Sequence, residues 1–255
     1  MRSIDLNADL GEGYGPWAMG DDAAVFALVS SANVACGGHA SDPETMFRTL
    51  TLARERGVSV GAHPSYPDLL GFGRRRLPAS AAEIERFVAA QVGALLAVAA
   101  LAGHPVRHVK PHGALANVAA AERDVADAIA RSVWAVDREL AVLAISGTEL
   151  ERAARDAGLR VFSEIYADRG YTPAGQLMPR SQPGALIHDA EEAAARLVVF
   201  FDSGVMPTVD GGGVRLAADS ICVHGDNPAA VAMATRVRAT LIEQRLTIAP
   251  FVERA

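Results

Sequence analysis

Six times along the chain a short run rich in β-branched and small apolar residues ends in polar side chains, at residues 4–12, 32–39, 58–63, 108–113, 161–169 and 221–226. A seventh run, residues 140–145, is apolar throughout. Stretches with helical signals separate these runs. Asp42 precedes Pro43 and Glu44, which combines an N-cap, a first-turn proline and an acid at the positive end of the helix dipole. Ser80 and Glu83 have capping-box spacing ahead of the apolar run 84–102, and Asp226-Asn227-Pro228 opens a last helix reaching about residue 245. Further helices are expected over 21–29, 122–136, 148–157 and 189–202. Strand and helix thus alternate seven times, which predicts a single-domain α/β protein spanning residues 1–255. Two architectures suit it, a (β/α) barrel of seven strands or an open doubly wound sheet.

Strand parity discriminates between them. Residues two apart on a strand share a face. Asp5, Asn7 and Asp9 therefore lie opposite Leu6, Ala8 and Leu10, and His108, Lys110 and His112 lie opposite Val109 and Pro111. Glu164, Tyr166 and Asp168 share one phase, and Cys222, His224 and Asp226 another. Strands of a parallel sheet covered on both sides are normally apolar throughout. Polar faces on several strands point instead to a shared interior, and hence to a barrel with a polar mouth. Active sites of parallel α/β folds lie at the carboxyl ends of the strands.

That mouth gathers the candidate chemistry. His39, His63, His112 and His224 each end a strand-like run, where neutral imidazole serves as general base or metal ligand. Asp9 with His63 and His112 would form a metal site of two histidines and one carboxylate. Among the carboxylates, Asp42 and Asp226 are explained as helix caps, and Asp5 as a residue orienting a neighbour. Asp9, Glu164 and Asp168 have no such explanation. Lys110 facing a barrel interior requires an acid or an anionic ligand beside it. Arg74, Arg75 and Arg76 follow the turn Gly71-Phe72-Gly73 and read as a solvated surface, or as a lid able to grip a carboxylate or phosphate. Arg169 and Arg180 add positive charge further along. His104 and His188 read as surface residues.

Composition narrows the classes. A net charge of −6 with scattered basic residues argues against a nucleic-acid surface. Cys36 and Cys222 lie in apolar runs, as small core residues of a cytoplasmic protein do. No basic-then-apolar leader precedes residue 4, and the apolar run 87–102 is too short for a span of roughly 20 residues. The segment GEGYG lacks the lysine of a P-loop, DGGGV reads as a turn, and no nucleophile elbow G-x-S-x-G is present.

Seven blocks in order give the chain a family resemblance: DLNADLGEGYG, SANVACGGHASDP, VGAHPSYPDLLGFGRR, HVKPHGAL, SEIYADRGY, PRSQPGALI and SICVHGD. The chain resembles the LamB/YcsF family over residues 4–248. It departs from the family pattern at Gly38, where an aromatic is usual, at Ser41 for glycine, at Ala116 for tyrosine and at Tyr166 for phenylalanine. The resemblance implies a seven-stranded barrel similar to those of glycoside hydrolases and deacetylases. It also implies ATP-dependent hydrolysis of 5-oxo-L-proline to L-glutamate in a 5-oxoprolinase completed by subunits B and C. Mapped onto matching positions, Lys110 with one or more of Arg74, Arg75 and Arg180 would hold carboxylate or phosphoryl oxygens, and Asn7, Arg169 and His224 would complete the substrate-binding group. Asp9, His63 and His112 would position water or a metal ion, with magnesium accompanying ATP. His39, Glu164 and Asp168 would transfer protons. Two other readings suit the same mouth: a metal-dependent deacetylase or amidohydrolase, and a non-catalytic substrate-binding subunit.

Overall fold

The computed structural model describes residues 3–224 and 230–254, with the side chains of His224, Glu253 and Arg254 outside the description. Its strands are β1 (Ser3–Leu10), β2 (Ser31–Ala35), β3 (Ser59–His63), β4 (Val106–Val109), β5 (Ala141–Ile145), β6 (Val161–Tyr166), β7 (Val205–Pro207), β8 (Gly213–Arg215), β9 (Ser220–His224) and β10 (Thr247–Ile248). Seven of them form a parallel ring in the order β1-β2-β3-β4-β5-β6-β9, closed by a β1–β9 pairing, and β10 also pairs in parallel with β1. The closed barrel replaces the open-sheet alternative. All seven strand carboxyl ends therefore open at one mouth.

The helices are α1 (Asp22–Phe26), α2 (Pro43–Arg56), α3 (Ala81–Ala102), α4 (Gly113–Ala121), α5 (Arg123–Val136), α6 (Glu149–Asp156), α7 (Ala190–Ser203) and α8 (Ala230–Glu243). The expected caps at Asp42 and Ser80 are present, the latter as a complete capping box. The cap expected at Asp226 lies outside the described residues. Helix α4 was not anticipated, because it follows β4 almost directly and its N-cap, His112, makes no side-chain capping bond. Strand β4 is shorter than the polar run that suggested it, since Pro111 has no N–H to continue a ladder. The first helix is also shorter than expected, and DGGGV forms the tip of the β7–β8 hairpin and the start of β8. Among the described residues only α3 is long and apolar enough to cross a membrane. It buries Ile84, Val88, Val92, Leu95 and Ala99, a stripe at helical spacing, and packs beside α5.

Asp42 also ties the β1 loop to α2. Its carboxylate accepts from Gly15 N at 2.7 Å, from Glu44 N and from the Thr45 hydroxyl. The Gly15 N–H first, then the Thr45 hydroxyl, holds the carboxyl down at about 2. A value depressed by folding means that the stabilisation is complete above about pH 4 and is lost as pH falls through about 2. Asp42→Ala is expected to cost about 1 kcal/mol at neutral pH. Urea titrations across that acid window should show the gap to wild type narrowing; a gap independent of pH would reject the charge contribution.

Candidate active site

The lumen is lined as strand parity requires. Asp5, at the amino end of the barrel, accepts hydrogen bonds from Ser30 Oγ at 2.6 Å, Ser31 Oγ at 2.7 Å and Ser220 Oγ. Above it Asn7 Nδ2 donates to Glu164 Oε1 at 2.8 Å and to Ser220 Oγ at 2.7 Å, while Asn7 Oδ1 accepts from Asn33. His108 donates to Asn33 Oδ1 at 2.8 Å, and burial pushes its imidazole down to about 3, so it is neutral.

Lys110 sits over this layer, 2% exposed, with Nζ 3.0 Å from Asp9 Oδ1, 2.9 Å from Glu164 Oε1 and 3.0 Å from Cys222 Sγ. Burial alone would depress the ammonium pKa; Asp9, followed by Cys222 and Glu164, more than offsets it and holds the pKa well above the usual lysine range. Cys222 is thus a polar neighbour of Lys110 as well as a core residue. Both cysteines are free thiols.

At the mouth His39, His63 and His112 converge with Asp9 and Glu12. His63 Nδ1 lies 2.6 Å from the Lys110 carbonyl oxygen, and its Nε2 lies 3.3 Å from Asp9 Oδ2. His112 Nε2 donates to the Phe72 carbonyl at 2.9 Å. The rings of His39 and His112 stack at 3.7 Å, and His39 Nε2 lies 3.0 Å from Glu12 Oε1. Burial first, and neighbouring histidines next, push the pKa of both His39 and His112 well down, so these rings are neutral near pH 7. Gly73, at φ +63°, passes so close that a Cβ there would lie 2.8 Å from His39 and 2.9 Å from His112. Glu12, His39, His63 and His112 each offer a ligand atom within 4.8 Å of the others and could hold a metal ion.

Above this floor opens a cavity of about 390 Å³. Asp9, His63 and His112 reach it from below; Arg74, Arg169 and Arg180 reach it from the loops, with Ala116 and Tyr166 at its side. Arg169 is also a brace: it donates to the carbonyls of Ala185 at 3.0 Å and Met178 at 2.5 Å, holding the loop after β6 over the mouth.

Several expected site residues lie elsewhere. Asn7 and Glu164 are buried in the lumen, and Lys110 lies with Glu164 against a space of only about 10 Å³. Arg75 pairs with Asp68 and Arg76 with Glu122, so of the triplet Arg74 alone lines the cavity. Asp168 is half-buried and does not line the cavity, and the side chain of His224 is outside the described residues. His104 is no free surface residue, since its Nε2 donates to the Val58 carbonyl at 2.8 Å; His188 is exposed as expected. Glu12 belongs to the cluster although its place beyond the strand end gave no parity signal.

Two of the sequence departures lie in the loop carrying His39. A Cβ on Gly38 would collide with Gln91 Oε1, so Gln91 occupies the space beside this residue and holds Ser65 N and O instead. Ser41 adopts φ +73°, the left-handed region that favours glycine, with its buried hydroxyl lacking a hydrogen-bond partner among the described residues. Ser41→Gly relieves both costs and is expected to stabilise the protein by about 1–2 kcal/mol. A melting temperature equal to or below wild type would refute the strain assignment.

A family model described as the LamB/YcsF family matches residues 4–255. A protein of Azorhizobium caulinodans, named as a 5-oxoprolinase subunit, is 53% identical over 98% of this chain and 99% of its own. One of the same name from Nocardia farcinica is 51% identical over 98% and 99%. The crystal structure of a lactam utilization protein from Thermus thermophilus superposes with TM-score 0.91 at 45% identity, covering 97% of this chain and 99% of that one. A candidate cellobiose-phosphate cleavage protein of Enterococcus faecalis, at 12% identity and TM-score 0.60 over 100% and 99% of the two chains, shares the fold alone.

Proposed function

The chain belongs to the LamB/YcsF family, and from that premise we propose that it serves as one component of an ATP-dependent 5-oxoprolinase. With partner subunits B and C it takes 5-oxo-L-proline, water and ATP to L-glutamate, ADP and phosphate. Near-full-length relatives named as 5-oxoprolinase subunits support the reaction. The structural observation carrying it is the cavity of about 390 Å³, with a floor of Asp9, His63 and His112 and a cationic wall of Arg74, Arg169 and Arg180. That volume lies within the range of small-ligand sites.

A lactam resists water because nitrogen donates into its carbonyl. Transfer of the ATP γ-phosphoryl to the lactam oxygen releases ADP and leaves the ring carbon electrophilic. Water adds there, the C–N bond breaks with the amine taking a proton, and a second water hydrolyses the resulting acyl phosphate to L-glutamate and phosphate. The arginine wall suits the substrate carboxylate and the phosphoryl oxygens, which guanidinium binds bidentately. Asp9, His63 and His112 suit the positioning of water and the removal of its proton. His39 and Glu12 hold that group in place, and Lys110 sets the charge beneath it. Magnesium accompanies the ATP, whose supply puts the reaction in the cytoplasm.

The test is glutamate release dependent on ATP and 5-oxoproline, by this chain alone and co-purified with its partners. Release by the assembled enzyme is expected. Partners that bind without any release would remove the reaction. Full activity in an assembly whose His63→Ala and His112→Ala chains still fold would leave this chain a binding role only.

A further inference from the structure

We propose that the cavity floor is a site for a divalent transition metal of the zinc class, held by His63 Nε2, His112 Nδ1 and the Glu12 carboxylate. The assignment starts from which ring nitrogens carry protons. His63 Nδ1 lies 2.6 Å from the Lys110 carbonyl oxygen and His112 Nε2 lies 2.9 Å from that of Phe72. A carbonyl oxygen only accepts, so each of these nitrogens carries a proton, and the other nitrogen of each ring is the one turned to the site. Those two nitrogens, His63 Nε2 and His112 Nδ1, face each other at 3.0 Å in a buried setting. A metal ion lying against both would hold them at this separation. An imidazole whose second nitrogen donates to a carbonyl or carboxylate is the usual partner arrangement of a metal-bound histidine.

The separation of the two histidine nitrogens suits one ion. Donors about 2.0–2.1 Å from a zinc, at angles from right to tetrahedral, lie roughly 2.9–3.4 Å apart. His63 Nε2 and His112 Nδ1 are 3.0 Å apart, Glu12 Oε1 is 3.5 Å from His112 Nδ1, and Asp9 Oδ2 is 3.3 Å from His63 Nε2. Asp9 already neutralises Lys110 through Oδ1, which makes Glu12 the carboxylate we assign and Asp9 its neighbour on the His63 side.

His39 belongs to the cluster as a positioning residue. Its ring lies parallel to that of His112, at 2° between planes and 3.7 Å between centroids, so its in-plane lone pairs run beside those of His112 and do not converge with them. Its Nε2, 3.0 Å from Glu12 Oε1, orients the carboxylate, and its buried Nδ1 has no hydrogen-bond partner among the described residues. That is the pattern of a neutral ring protonated at Nε2. Two histidines and one glutamate are an established catalytic zinc set that keeps a position open. Here the cavity adjoins His63 and His112, where an ion would polarise a carbonyl or a bound water.

The experiment uses the untagged full-length chain, purified without chelator from zinc-supplemented medium, with metal measured by mass spectrometry and binding by equilibrium dialysis against zinc. Wild type is expected to hold about one zinc per chain, to lose it to a strong chelator and to regain it with a rise in melting temperature. Glu12→Gln, nearly isosteric, and His112→Ala should each lower zinc affinity at least about tenfold, and His39→Ala by about 10–100-fold. Folded wild-type protein that takes up no zinc would overturn the site, as would undiminished zinc in Glu12→Gln and His112→Ala. Metal content is read apart from glutamate release, so failure of this site and failure of the proposed reaction are separable results.

Discussion

Lys110→Met is expected to cost about 3–5 kcal/mol of folding free energy, because it leaves the Asp9 and Glu164 carboxylates buried without their cation. The lysine contacts both acids within 3.0 Å at 2% exposure. With its pKa held above the ordinary lysine range, it is fully charged at neutral pH. A raised folded value means that this contribution is complete below the unfolded lysine pKa, about 10.4, and is lost only as pH climbs through the raised value. The charge argument makes a further demand. Lys110→Met/Glu164→Gln should recover part of the loss, since one of the stranded charges has gone. Urea unfolding at neutral pH checks both variants. A single variant within about 1 kcal/mol of wild type, or a double variant less stable than the single, would show that the lumen tolerates unpaired carboxylates.

Asp9→Asn is expected to lower the rate of glutamate release by the assembled enzyme by about 10²–10⁴, the range for loss of a positioned acid–base group. Asparagine keeps the size of the side chain, and its oxygen can still accept from Asn33 and Lys110, as Asp9 Oδ1 does at 2.9 and 3.0 Å. What it removes is the negative charge 3.3 Å from His63 Nε2. The substitution separates charge from shape, so circular dichroism should match wild type while turnover falls. Wild-type turnover by folded, assembled Asp9→Asn enzyme would place the chemistry away from this carboxylate.

The two variants act on one continuous network. Asp9 Oδ1 belongs to the lumen layer with Lys110 and Asn33, and Asp9 Oδ2 faces the histidines at the mouth. The barrel interior thus fixes the position of the floor through charge pairing, while the loops bring the cations. Arg74 comes from the turn after β3, and Arg169 and Arg180 from the long loop after β6. Rigid strands supply the acid–base side and loops the anion-binding side.

Much of this was legible because strand geometry is periodic. Alternation in IDLNADL places Asp5, Asn7 and Asp9 on one face whatever the rest of the chain does, and the same rule groups His108 with Lys110. Helix capping is equally local, so Asp42 and Ser80 could be assigned before any tertiary contact was known. Parity fails one step past the strand. Glu12 and His39 lie in loops, where no period relates one side chain to the next, and their 3.0 Å contact joins residues 27 apart.

Depth was also beyond the sequence. Asn7 and Asp9 share a face, yet Asn7 is sealed in the lumen while Asp9 reaches the cavity. Nothing local separates Arg74 from Arg75; Asp68 and Glu122 do so by claiming Arg75 and Arg76.

By itself the sequence determined seven alternating strand and helix units, a polar interior and the family, because periodicity, capping and motif order are carried by neighbouring residues. The closed ring, the layer to which each polar side chain belongs and the meeting of Glu12 with three histidines were decided only by the tertiary structure. These depend on distances between residues far apart in the chain, which are fixed when β1 pairs with β9 and the barrel closes.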